Sequence, residues 1–176
     1  VMVEKRPVDA VPVKFPDNCP VCHSPVEQWT GEVVARCTGG MFCSAQIKQA
    51  IKHYASRRAM DIDGLGDRLV EQLVDAKRIH SVVDLYNLDV SQLLPLERMA
   101  AKSATNLLVA IENSKQTSLA KFLFALGIRE VGEGSAQILA NSFGSLEALI
   151  DASPEALLEI DGIGPIVARH IGNFFS

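Results

Sequence analysis

From Ser44 onward, apolar residues recur at intervals of three and four, which is the spacing of an amphipathic helix. The apolar positions of three such segments are Ile47, Ala50, Ile51 and Tyr54; Leu69, Val70, Leu73 and Val74; and Leu107, Leu108 and Ile111. Helix-start signals accompany the pattern, because Asp89 is followed three residues later by Gln92, and Ser153 precedes a proline and a glutamate. The sequence therefore predicts a helical domain over residues 45–176, and a chain that is mainly α.

The first 44 residues lack this periodicity. Apolar and polar residues alternate from Val11 to Phe15, which favours a short strand, and three prolines keep residues 1–16 extended. We expect this segment to be the end of a preceding domain and a linker. Residues 17–44 hold all four cysteines and predict a small, loop-rich module. The chain does not begin with methionine, and we expect it to be part of a longer polypeptide.

A short pattern of the form apolar-x-x-apolar-small occurs four times in the helical part. We call these segments hairpins 1 to 4: Ile62–Gly66, Leu96–Ala100, Ile128–Gly132 and Ile160–Gly164. Their third positions, 64, 98, 130 and 162, lie at nearly regular spacing along the chain. The pattern predicts four tandem helix-hairpin-helix units, arranged as two similar halves of two units each.

The four cysteines predict a metal site. Two close pairs, Cys19 with Cys22 and Cys37 with Cys43, can supply four thiolates to a tetrahedral Zn²⁺. Four thiolates leave no open position for water, which favours a structural zinc. Two disulfides or free buried thiols are the alternatives, and an adjacent histidine, His23, could in principle replace one ligand.

Net charge argues at first against a polyanionic partner, because the chain carries −4. The charge is uneven: residues 1–60 hold eight Lys/Arg and five Asp/Glu, whereas residues 61–176 hold nine and sixteen. The helical domain must therefore bind any nucleic acid by something other than bulk charge. Glycine-lined helix starts can do so, since backbone amides and the helix dipole attract phosphate without a lysine.

Hairpins 1 and 4 keep both glycines, and we expect them to bind phosphate best, with hairpins 2 and 3 partly structural. The hairpin positions expected to contact DNA are Gly64, Leu65, Gly66, Gly132, Gly162, Ile163 and Gly164. The cationic candidates are Lys48, Lys52, Arg57, Arg58, Arg98, Lys102 and Arg129. The alternatives are that the glycines only make tight turns between helices and that the cations form a solvated basic face.

Several strings resemble one family. They are Cys19-Pro-Val-Cys22, Ala35-Arg-Cys-Thr-Gly-Gly40 with Cys43, Ser56 to Gly66, Lys121 to Gly132 and Asn173-Phe-Phe. Together they are similar to the bacterial NAD-dependent DNA ligases over essentially the whole chain, and the string from Phe124 to Gly132 is highly specific. The resemblance implies a zinc finger and a helix-hairpin-helix domain that clamp nicked duplex DNA. It implies that they bind through the minor groove and without sequence specificity.

The resemblance also implies a parent enzyme that uses NAD and Mg²⁺ to seal nicks between 3′-hydroxyl and 5′-phosphate in DNA replication and repair. It implies that residues 1–16 close an oligonucleotide-binding (OB) fold, and that adenylation and BRCT domains lie elsewhere in the polypeptide. The family's adenylated lysine sits in a Lys-x-Asp-Gly motif, which this chain lacks. We therefore expect no catalytic residue here and no activity of the chain alone. The resemblance also implies a cytoplasmic bacterial protein associated with the nucleoid.

Two other functions fit parts of the pattern. A DNA-junction or repair-nuclease binding module would also use paired hairpins, although the cysteines and the specific strings weigh against it. A protein-interaction scaffold would suit the acidic average. Steep weakening of binding with salt would favour DNA over the scaffold. No apolar run is long enough for a membrane helix, so no membrane association is expected.

Overall fold

The structure is a computed structural model that describes residues 6–7, 9–11, 13–28 and 33–176. Within this part of the chain the fold is mainly helical. The helices are α1 (Ser44–Ala55), α2 (Asp67–Asp75), α3 (Val90–Leu93), α4 (Ala101–Ser114), α5 (Leu119–Ala125), α6 (Glu133–Phe143), α7 (Leu146–Ile150), α8 (Pro154–Leu158) and α9 (Pro165–Phe175). Short 3-10 turns cover Gly40–Phe42 and Val83–Asn87. No helix in the described ranges has the length and apolar character needed to cross a membrane.

A small antiparallel sheet lies in the cysteine module. Strands β1 (Val26–Glu27) and β2 (Arg36–Cys37) pair with Val26 opposite Cys37 and Glu27 opposite Arg36. The strand expected between Val11 and Phe15 falls partly outside the described residues, and residues 13–16 lie in no strand. The side chains of Val13 and Phe15 are exposed.

Two hydrophobic cores stabilise the helical part. The first is built on α1, α2, α3 and α4, with Ile51, Leu73 and Leu93 fully buried. The second is built on α5, α6 and the helices that follow, around Leu139 and Ile171. The ring of Phe124 packs against both cores, so α5 joins them.

The predicted apolar faces are largely confirmed. All four residues of the α2 face are buried, and Leu107 and Ile111 are buried in α4. In α1 the prediction was wrong at one position, because Ala50 is exposed while its three companions are buried. Ala50 borders a surface cavity between α1 and the loop at Ser81 instead of the core.

Both predicted helix starts are also confirmed. Asp89 and Gln92 form a reciprocal capping box at the start of α3. At α8, the Ser153 side chain accepts a hydrogen bond from the Ala156 amide, and Pro154 occupies the first turn. These caps stabilise two very short helices, each of which buries only one residue in the core.

Candidate functional site

The four cysteine thiols converge at one point. Their Sγ atoms all lie within 4.8 Å of one another, and Cys22 Sγ is 3.3 Å from Cys37 Sγ. A tetrahedral zinc with bonds of about 2.3 Å places its sulfurs about 3.8 Å apart, which agrees with this spread. The cysteines are free thiols, and the exposed His23 is outside the ligand group among the described residues. The arrangement therefore suits zinc and not the disulfide alternative.

Backbone at Gly39 and Gly40 wraps around the thiols. The Gly39 amide donates to Cys37 Sγ at 3.2 Å, and Gly40 adopts a left-handed φ of 46°. A Cβ at Gly39 would lie 2.8 Å from Cys22 Sγ and 3.1 Å from Cys37 Sγ. Glycine is therefore required at position 39, because any side chain would occupy the space of the ligand atoms.

Hydrogen bonds favour the thiolate form at two of the ligands. The hydroxyl of Ser24, 3.3 Å from Cys22 Sγ, lowers the pKa of that thiol to about 6, and the Ser24 amide adds to the effect. The backbone amides of Cys22 and Val21 lower the pKa of Cys19. At Cys37 the Gly39 amide lowers the pKa, but burial and the neighbouring Cys22 and Cys19 thiols outweigh it and raise the pKa to about 11. Zinc binds thiolate and not thiol, so the hydrogen bonds favour the binding form at Cys19 and Cys22.

Each of the four hairpins connects two helices: α1 to α2, α3 to α4, α5 to α6, and α8 to α9. The third position of every hairpin is left-handed, with φ of 83° at Gly64, 60° at Arg98, 62° at Glu130 and 87° at Gly162. Hairpins 2 and 3 therefore adopt the same turn as hairpins 1 and 4, although they lack glycine there and carry the associated strain.

The fifth position of each hairpin is the N-cap of the next helix. Gly66, Ala100, Gly132 and Gly164 all have extended backbone, and none places a side-chain cap on the helix that follows. By contrast, the first helices of hairpins 2 to 4 are capped by the side chains of Asp89, Ser118 and Ser153. Helix α1, the first helix of hairpin 1, also lacks a side-chain cap, at Cys43. Uncapped amides therefore occur at α1 and at all four second helices, α2, α4, α6 and α9.

Glycine occupies the third and the fifth positions of the hairpins under different physical constraints. Gly64 and Gly162 adopt positive φ, and a Cβ at Gly162 would also lie 3.0 Å from the Ile138 side chain. Gly66, Gly132 and Gly164 need no such conformation, and a Cβ there would meet nothing within 4 Å. The fold itself does not require glycine at the fifth position, and the space beside these three helix starts is open.

Two predicted contact residues lie in the core. The side chains of Leu65 and Ile163 are buried, with 6% and 4% exposure. Their amides donate to Ile62 O at 3.3 Å and to Ile160 O at 3.0 Å, which closes the turns. The buried side chains of Leu65 and Ile163 therefore anchor hairpins 1 and 4 to the hydrophobic cores.

The lysines of α1 are held by acidic groups of α2. Lys48 Nζ lies 2.7 Å from Asp75 Oδ1, and Lys52 Nζ lies 2.7 Å from Glu71 Oε1 and 3.5 Å from Asp67 Oδ2. The Glu71 carboxylate, followed by Asp67, raises the pKa of Lys52. These pairs favour a role for both lysines in docking α1 onto α2 over the predicted role in DNA contact.

The predicted arginines and Lys102 lie closer to the hairpins. Arg58 Nη1 is 3.1 Å from Glu133 Oε1, at the first residue of α6, so its side chain lies beside hairpin 3. Arg57 and Arg98 are exposed, Lys102 is exposed in the first turn of α4, and Arg129 is half-buried in hairpin 3. The four hairpin turns and these cations form the candidate nucleic-acid interface.

This fold and site define a zinc-finger protein with tandem helix-hairpin-helix motifs. A family model described as "NAD-dependent DNA ligase C4 zinc finger domain" matches residues 18–45. Models described as "SAM-like Helix-hairpin-helix tandem" and "Helix-hairpin-helix motif" match residues 56–113 and 121–176.

Curated relatives extend the match over the whole chain. A protein named DNA ligase from Cellvibrio japonicus is 55% identical over 176 residues, and one from Methylococcus capsulatus is 57% identical over the same length. In both cases the match covers all of this chain and 26% of the relative, so the chain spans about a quarter of their length. The chain is therefore similar over its whole length to a segment of proteins named DNA ligase, and its cysteine module matches the zinc finger model described for NAD-dependent DNA ligases.

Proposed function

We propose that this chain is the DNA-clamping part of an NAD-dependent DNA ligase, with the hairpins holding duplex DNA by its sugar-phosphate backbone. The observation that carries the proposal is the set of uncapped helix starts at Gly66, Ala100, Gly132 and Gly164. Four helices beginning in this way offer four separate groups of unpartnered backbone amides. Contacts of this kind fix position on the duplex and read no base sequence.

Phosphate is the ligand that such helix starts suit. Amides without a partner and the positive end of the helix dipole together attract an anion, and the missing side chain permits close approach. The open space beside Gly66, Gly132 and Gly164 is consistent with an external group there. An acidic chain can therefore hold DNA, because the attraction comes from oriented dipoles and not from net charge.

The zinc would act structurally in this function. Four cysteines complete the coordination of Zn²⁺ and leave no site for a reacting water. Cys43 is both a ligand and the N-cap of α1, and Gln46 of α1 donates to Cys37 O at 2.9 Å. The metal therefore fixes the module of residues 17–44 relative to the helical domain of residues 45–176.

In the whole protein, we propose that nicked duplex is the substrate and that domains outside this chain carry the chemistry with NAD and Mg²⁺. The partners would be an adenylation domain, an OB fold to which residues 1–16 belong, and a BRCT domain. No lysine here stands in a Lys-x-Asp-Gly motif. Incubating the chain with NAD should leave it without covalent adenylate, and a labelled lysine would contradict this part of the proposal.

The hairpins are tested best at the fifth position. Gly132→Asp and Gly164→Asp place a preferred capping residue at a site with ordinary backbone and open space, so the fold should keep or gain stability. The same carboxylate would occupy the amides and repel phosphate. We expect each variant to weaken binding of a nicked duplex by about tenfold or more while its melting temperature stays equal or rises.

Ser153→Asp is the matched control, because it adds the same charge at a helix start that is already capped by a side chain. It should change DNA affinity little. Substitutions at Gly64 or Gly162 are less informative, since a side chain there is strained by the positive φ whether or not DNA is present. Unchanged duplex binding by the folded double variant at Gly132 and Gly164 would refute backbone capture of phosphate.

A further inference from the structure

In each half of the helical domain, the second helix of one hairpin contacts the hairpin that follows. Helix α2 follows hairpin 1, and Oε1 of its Gln72 accepts a hydrogen bond of 2.7 Å from the Glu97 amide of hairpin 2, 25 residues further along the chain. Helix α6 follows hairpin 3, and its Ile138 lies against hairpin 4, where a Cβ at Gly162 would be 3.0 Å from Ile138 Cδ1. Each half thus links its two turns through one side chain.

The two linking side chains occupy the same place in the repeat. Gln72 is the sixth residue of α2 and Ile138 is the sixth residue of α6. Each lies eight residues after the left-handed third position of its own hairpin, which is residue 64 or 130. The two halves therefore use one geometry with two chemistries: a hydrogen-bond acceptor in the first half and an apolar packing group in the second.

Each chemistry suits the hairpin that it contacts. Hairpin 2 lacks glycine at its third position, and Arg98 there has a strained φ of 60°. The Glu97 amide directly precedes Arg98, so the hydrogen bond from Gln72 holds the strained turn where it begins. Hairpin 4 has Gly162 at the same position, which tolerates its φ of 87°. Packing of Ile138 against that glycine is enough to limit movement of the turn.

The hydrogen bond of Gln72 contributes little to the stability of the core. The buried face of α2 consists of Leu69, Val70, Leu73 and Val74, whereas Gln72 is half-buried outside that face. Its hydrogen bond with the Glu97 amide is exposed to solvent, so water can replace either partner at small net cost. The effect of the bond is therefore on where hairpin 2 lies.

We propose that Gln72 and Ile138 are positioning residues for DNA binding, which hold the two hairpins of each half at a fixed separation so that both meet one duplex. This inference rests on the proposed function. Two phosphate sites at a fixed separation bind more tightly than two loosely connected ones, because the second contact forms at high effective concentration once the first has formed. Each residue acts through the hairpin that it contacts and not by touching DNA.

The first test measures binding of a nicked duplex by the zinc-loaded chain with Gln72→Met, which keeps the length of the side chain but removes the amide acceptor. We expect binding to weaken by about threefold and hydrogen exchange of the Glu97 amide to quicken, with a nearly unchanged melting temperature. Gln137→Met is the matched control, because Gln137 of α6 donates only to Asn141 of the same helix. It should leave DNA affinity unchanged.

Double variants separate positioning from general destabilisation. Ala100 is exposed at the start of α4, so Ala100→Asp disables hairpin 2 in the way that Gly164→Asp disables hairpin 4. Gln72→Met should weaken binding little further beside Ala100→Asp, and should keep its full effect beside Gly164→Asp. Ile138→Val, which removes only Cδ1, should show the reverse pattern.

Two results would overturn the positioning role of Gln72: equal effects of Gln72→Met in both backgrounds, or parental affinity of the single variant. If Gly164→Asp still loses binding in that case, the positioning role is wrong and the hairpin proposal stands. If the parent chain itself fails to bind duplex, both proposals fail.

Discussion

His53 Nε2 lies 2.7 Å from the carbonyl oxygen of Phe124, 71 residues further along the chain. The carbonyl can only accept, so the imidazole donates this hydrogen bond. The two rings also meet edge to face, with centroids 4.8 Å apart. This contact joins α1 of the first core to α5, whose Phe124 packs against both cores, and it holds hairpin 1 in a defined position relative to hairpin 3.

Removing this contact should destabilise the helical domain. We expect His53→Phe, which keeps a ring but leaves the Phe124 carbonyl without its donor, to lower the free energy of unfolding by about 1 kcal/mol. His53→Ala also loses the ring contact and should cost about 2 kcal/mol. Urea unfolding followed by circular dichroism measures both. A His53→Phe variant as stable as the parent would show that the hydrogen bond contributes nothing, and equal losses in the two variants would show that the ring contact contributes nothing.

The exposed pair Arg58 and Glu133 should matter more for binding than for folding. Because Glu133 is the first residue of α6 and pairs with Arg58, on the proposed function its carboxylate would compete with phosphate for the helix start and for Arg58. We expect Glu133→Gln to tighten duplex binding by about twofold to fivefold and to change stability by less than about 1 kcal/mol. Weaker binding by this variant would show that Arg58 must be oriented by Glu133 to function.

The left-handed Glu130 carries conformational strain that glycine would remove. Glu130→Gly should stabilise the protein slightly, by about 0.5 kcal/mol, because relief of the positive φ exceeds the entropy gained by the unfolded chain. A rise in melting temperature would confirm this. Arg98→Gly provides a parallel case at hairpin 2, since its φ is nearly the same.

Asp84 should make stability depend on acid pH. The amide of His80 lowers the pKa of Asp84, and the side chain and amide of Ser81 add to this, with contacts of 2.8 to 3.1 Å. A depressed native pKa means that the stabilisation is complete above the ordinary value of 3.8 and is lost as the pH falls through the native pKa. Asp84→Asn should therefore cost about 1 kcal/mol at pH 7 and progressively less below about pH 4.

Zinc removal should unfold one part of the chain selectively. Among the residues that the structure describes, neither hydrophobic core includes one before Ile47, so these cores are built from the helical domain alone. A strong chelator, or Cys22→Ser, should abolish the single bound zinc and the chemical-shift dispersion of residues 18–43, while most helical circular dichroism remains. Complete loss of helix on chelation would show that the metal stabilises the entire fold.

The local signals in the sequence were good predictors of this fold. Four turns at regular spacing, an acidic capping box at Asp89 and a serine-proline start at Ser153 depend on interactions within a few residues. The cysteine spacing predicted a convergent thiol group for the same reason. The left-handed turns of hairpins 2 and 3 could not be predicted, because the sequence lacks the glycines that usually mark a left-handed residue. The surrounding structure holds Arg98 and Glu130 in that conformation.

The sequence by itself determined the four hairpins, the zinc ligands and the acidic balance, since each follows from residue type and short-range spacing. Only the tertiary structure decided which cations are held in ion pairs and which hairpin each of the others lies beside. Lys48 and Lys52 form ion pairs with α2, and Arg58 pairs with Glu133 at hairpin 3. Arg36 and Arg129 line one cavity. Those partners are distant in sequence, and long-range packing of helices, which no local pattern encodes, brings them together.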